Sequence, residues 1–63
     1  MKKIKVKIEQ GIYEVVNTKA NMEMFNDKNI DVFFVNCNRN ESNVGFPMAL
    51  IEKKDIIEVF EDE

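Results

Sequence analysis

Histidine and tryptophan are absent from this 63-residue chain, and it has one cysteine, one proline, two glycines and one arginine. Each scarcity excludes something. A lone Cys37 closes no internal disulfide, and a structural zinc site needs about four Cys or His ligands, so neither staple supports the fold. Without histidine there is no side chain whose ordinary pKa lies near neutrality, and no Cys–His or Ser–His pair can be assembled. No Gly-rich phosphate loop occurs, and the carboxylates fall in solvated runs. The sequence therefore predicts a protein that is not an enzyme and carries no cofactor and no metal. Met1-Lys2-Lys3 leads into an alternating pattern, not an apolar leader segment, and no run approaches the roughly 20 apolar residues of a membrane span. The expectation is a single small domain over residues 1–63, cytoplasmic, in a reducing compartment.

A domain of this size buries only about 60% of its unfolded surface. Good packing or a partner has to supply the rest. The net charge is −3, which argues against nucleic acid as partner, since phosphate neutralisation supplies most non-specific affinity. The charge is unevenly spread: Lys2, Lys3, Lys5 and Lys7 open the chain, and Glu58, Glu61, Asp62 and Glu63 close it.

The run from Asn29 to Asn38 is the most apolar stretch, and it reads as a strand covered on both faces. Ile30, Val32 and Phe34 form one row; Phe33, Val35 and Cys37 form the other. Before it, Lys3 to Glu9 alternates strictly, with Ile4, Val6 and Ile8 on one face and lysines on the other. Gln10-Gly11 supplies a turn in which glycine can take positive φ. Ile12 to Val16 is rich in β-formers and completes a hairpin. Asn17 to Asn29 is polar and irregular, with asparagines as turn formers. Within it, Met22-Glu23-Met24-Phe25 is either a short strand or a helical turn tucked under the sheet, or an adaptable exposed patch. Residues 38–43 read as a loop. Val44 to Glu52 is a second apolar block interrupted by Pro47, which ends regular pairing or sits at an edge. Asp55 to Phe60 reads as a final strand.

Gly45-Phe46-Pro47-Met48-Ala49-Leu50-Ile51-Glu52 resembles the late segment of SH3 domains, in which a strand meets a proline, makes one 3₁₀ turn and enters the last strand. The resemblance implies an SH3-like barrel whose terminal strands pair. Leu50 stands where SH3 domains carry a ligand-stacking tyrosine, and the Ala-Leu-Tyr-Asp-Tyr motif and the groove tryptophan are missing. Recognition of proline-rich peptides is therefore not implied.

These patterns predict an all-β fold: a small five-stranded SH3-like barrel or a strongly bent antiparallel sheet. The alternative is an α+β fold with a C-terminal helix after Pro47, where Leu50, Ile57 and Phe60 loosely follow a 3.6-residue period. The functional expectation is a protein-interaction module, plausible as a small phage or mobile-element accessory or inhibitor protein that binds a host or defence protein. In this reading Val32 and Phe34 join the core. Phe33 and Val35, with Met22, Met24 and Phe25, form a surface for a protein partner or for a second copy in a homodimer. The competing arrangement folds the Met22–Phe25 segment over that face. The alternative function is a nucleic-acid-binding small barrel using Lys3, Lys5, Lys7 and Tyr13.

Overall fold

The computed structural model describes residues 3–37 and 47–62. The alternating segment Lys3–Ile8 is β1, and Gly11–Glu14 is β2. They form an antiparallel hairpin with Val6 opposite Tyr13 and Lys7 opposite Ile12. Gly11 has φ +141°, a conformation closed to L side chains, so glycine at this position is a requirement of the turn. The last strand, β5 (Glu58–Asp62), lies on the other side of β1, antiparallel, with Val6 opposite Val59 and Lys7 opposite Glu58. The first and last strands are thus neighbours, and the sheet order is β2-β1-β5.

A second antiparallel sheet joins β3 (Val32–Asn36) to β4 (Met48–Glu52), with Phe33 opposite Ile51 and Val35 opposite Ala49. The two sheets meet through one isolated bridge, Val15 to Val35. The fold is mainly β, and among the described residues the sheets do not close into a barrel. The C-terminal helix is not formed. After Pro47 the chain runs as β4, makes one 3₁₀ turn over Lys53–Asp55 and enters β5. The turn anticipated directly after the proline comes one strand later, because Met48–Glu52 is held by pairing with β3.

The α-helix among the described residues is α1 (Lys19–Asn26). Thr18 caps it, its hydroxyl accepting from the Asn21 N–H at 3.2 Å, and the Asp27 N–H donates to the Glu23 carbonyl at 3.0 Å to close the other end. No acidic residue lies in its first turn and no basic residue in its last, so the macrodipole adds little. Eight residues are too few for a stable isolated helix. Its order comes from docking.

Val6, Val15, Phe33 and Val35 form the buried cluster, and Ile4, Tyr13, Met22, Met24, Phe25, Ala49, Ile51 and Ile56 pack around it. Fully burying an aliphatic or phenyl side chain is worth about 1.5–3 kcal/mol. The Phe25 and Phe33 rings meet edge to face, with centroids 4.9 Å apart and planes at 73°. The expected faces of the central strand are therefore exchanged. Phe33 and Val35 are 0% and 1% exposed, whereas Val32 and Phe34 are half-buried. The side expected to need a partner is the one covered from within, by the β1–β2 hairpin and by Phe25 of α1. The expected loop at 38–43, and Val44 to Phe46 with Phe46 as a core residue, lie outside the described residues.

Candidate protein-interaction surface

The weak seam between the sheets determines where the surface opens. Among the described residues a single bridge, Val15–Val35, links the ladders of the two sheets. The space between is a cleft of about 560 Å³. It is lined by the buried Ile8 and Val35, by Tyr13 and Leu50, and by the carboxylates Glu52 and Asp55. Leu50 is 37% exposed. Cys37, which the alternation sets in the same row as Phe33 and Val35, is a half-buried free thiol lining the cleft. Its N–H donates to the Pro47 carbonyl at 3.1 Å.

Beside the cleft, Lys54 and Glu52 form an exposed ion pair at 3.2 Å. The hydrogen bond to Glu52, followed by the charges of Glu52 and Asp55, raises the Lys54 pKa above its ordinary value. Solvent-exposed pairs of this kind contribute little to stability. Lys53 instead ties this corner to the helix, its Nζ donating to the Asp27 carbonyl at 2.7 Å.

The residues singled out from sequence fall into three groups. Met22, Met24 and Phe25 lie on α1, half-buried against the core cluster. Phe33 and Val35 are core residues and offer no surface. Lys3, Lys5 and Lys7 share the outer face of β1, but Glu14 is opposite Lys5 and Glu58 is opposite Lys7. Tyr13 is opposite Val6 and so lies on the other face of the sheet. The pairing does not gather it with the lysines.

Four exposed apolar residues escaped the sequence reading: Ile12 (55%), Leu50 (37%), Ile57 (63%) and Val59 (50%). Val59 is in register with Val6, which is wholly buried, so it continues the core face from β1 onto the last strand. The Ile57-x-Val59 alternation did signal a common face. What covers that face depends on sheet order, which alternation does not encode. Asn21 was also read only as a turn former, and it is buried, with a carboxamide bonded to β3.

Among the described residues there is no group of three or more His, Cys, Asp or Glu placed to hold a metal ion, and no helix long and apolar enough to cross a membrane. No protein-family model, curated protein or solved structure shows significant similarity to the chain.

Proposed function

We propose that this chain is a non-enzymatic, cytoplasmic protein-interaction module built on an SH3-like scaffold that stays open between its two sheets. In this reading it is a phage or mobile-element accessory or inhibitor protein that acts by occupying the surface of a host or defence protein. The observation that carries the reading is the cleft. Its apolar lining, with Ile8, Val35, Tyr13 and Leu50, suits an apolar anchor side chain of a partner, which is how small interfaces concentrate their affinity. Pairing of β1 with β5 agrees with the SH3-like resemblance. The carboxylates opposite Lys5 and Lys7, and the position of Tyr13 on the opposite face, weigh against the nucleic-acid reading.

The test is affinity purification from the source cells with two baits, the wild type and Leu50→Arg, with mixed oligonucleotides titrated in parallel at two salt concentrations. A protein retained by the wild type and lost from the variant supports the reading. Retention that nuclease abolishes, or oligonucleotide binding that falls steeply with salt, overturns it.

A further inference from the structure

The β5 strand forms one edge of its sheet among the described residues, and its composition differs from that of a blunted edge. Natural edges avoid strand addition through lysines, prolines or bulges. Here the edge combines exposed Ile57 and Val59 with a purely acidic charge: β5 holds Glu58, Glu61 and Asp62 and no base.

The direction of its main chain follows from the ladder. Residues of a strand between two antiparallel neighbours bond alternately to one and the other. The Val15 N–H donates to the Ile4 carbonyl at 2.8 Å, so Ile4, Val6 and Ile8 face β2, and Lys3, Lys5 and Lys7 face β5. The Ile57 N–H, just before β5, also donates to the Lys7 carbonyl, at 2.7 Å and one residue out of register with the Lys7–Glu58 pair, so the outward-directed main chain begins at Val59. Opposite Lys5 and Lys7 stand Phe60 and Glu58, and these residues bond inward to β1. The main chain of Val59, between them, is directed away from the sheet.

We propose that the outer edge of β5 accepts an extended segment of a protein partner in which basic and aliphatic residues alternate. β1 itself shows the complementary chemistry. It lies on the inner edge of β5 as Lys3-Ile4-Lys5-Val6-Lys7-Ile8, with Val6 beside Val59 and Lys7 beside Glu58. A second strand of that pattern would extend the apolar face past Val59 and place lysines on the side of Glu58. Strand addition of this kind draws affinity from main-chain bonds and selectivity from alternate side chains. Two copies of β5 are a poor match, since pairing them would set carboxylates against carboxylates. The inference names the class of partner for the interaction module proposed above and uses a surface separate from the cleft.

The probe is a fluorescent hexapeptide with the β1 sequence, titrated into the full chain by anisotropy. It is compared with the same peptide carrying glutamate at each lysine, and with two N-methylated forms, one methylated at the lysines and one at the aliphatic residues. We expect saturable binding of the lysine peptide and none of the glutamate peptide. Binding should weaken severalfold between about 0.01 and 0.15 M salt, as the screening length falls from about 30 to about 8 Å. One N-methylated form should bind and the other should not, because only one phase of amides bonds across a ladder. Leu50→Arg should leave all of this unchanged. No saturable binding, equal behaviour of the two methylated forms, or loss of binding in Leu50→Arg overturns the proposal; the last of these would place the peptide in the cleft and leave the cleft reading standing.

Discussion

Asn21 ties the segment at Val16 to the strand at Phe34, beside the Val15–Val35 bridge. It is 3% exposed, and both its carboxamide oxygen and its carboxamide nitrogen are hydrogen-bonded. Oδ1 accepts from the Phe34 N–H at 2.7 Å, and Nδ2 donates to the Phe34 carbonyl at 2.9 Å and to the Val16 carbonyl at 2.8 Å. Replacing it with leucine keeps the volume and removes the polar partner. The Phe34 carbonyl still accepts from the Val16 N–H at 3.2 Å. The Phe34 N–H and the Val16 carbonyl lose their partner. Each orphaned buried group costs about 1–3 kcal/mol, so Asn21→Leu should cost about 2–6 kcal/mol. At about 0.05–0.15 kcal/mol per residue the whole chain has roughly 3–9 kcal/mol to lose, so the variant should be barely folded or unfolded. Asn21→Asp sharpens the test. A carboxylate accepts from Phe34 but sets its charge against two carbonyls in a desolvated site, so its folded-state pKa should rise above the ordinary value of about 3.9. The folded state then binds more protons than the unfolded state between those two values. Stability relative to wild type should be lowest above the folded pKa and should recover as the pH falls toward the unfolded one. Urea titrations followed by circular dichroism measure both effects. An Asn21→Leu variant within about 0.5 kcal/mol of wild type with an unchanged denaturant slope would refute the reasoning.

Further outcomes follow from the same structure. Phe33→Ala should cost about 3–5 kcal/mol by chemical denaturation, and Phe33→Glu should unfold the chain instead of giving a soluble, folded protein; a folded glutamate variant would mean that Phe33 is not where it is described. Gly11→Ala should cost about 1–3 kcal/mol through backbone strain alone, since the nearest atom to the added Cβ is the Tyr13 Cε2 at a comfortable 3.9 Å; the thermal midpoint measures it. Thr18→Ala should cost about 1 kcal/mol by removing the helix cap, with hydrogen exchange accelerating in α1 before it does in β1.

β1 was legible in the sequence because it has a strict period of two, and the hairpin because Gly11 punctuates it. The pairing of β1 with β5 was what the SH3-like resemblance implied, and the opposite charges of the two chain ends agree with it: Lys7 stands opposite Glu58. The inward face of β3 was not legible. Both of its rows are apolar, so alternation separates Phe33 from Phe34 without saying which is buried. That choice is made by Val6, Val15 and Phe25, which come from other elements. The helix was hidden for a related reason. Two asparagines inside it and the absence of end charges give it weak local preference, and what orders it is a carboxamide reaching 13 residues along the chain to Phe34. Thr18, three residues before Asn21, was the available signal for its start, and the Met22–Phe25 spacing the signal for its buried stripe. The cleft and the exposed Val59 are consequences of sheet order and incomplete closure, which no local pattern specifies.

The amide of Asn21 also bears on solubility. Val32-Phe33-Phe34-Val35 has the makeup of a fibril-forming segment: β-branched and aromatic, uncharged, without proline. β4 seals one side of it. On the other side the seal at Phe34 is the Val16 amide and one side chain on a helix of eight residues. Detachment of α1 leaves the Phe34 N–H unpaired and takes Phe25 off Phe33. How firmly the helix is docked therefore bears on the resistance of the chain to aggregation as well as on its stability.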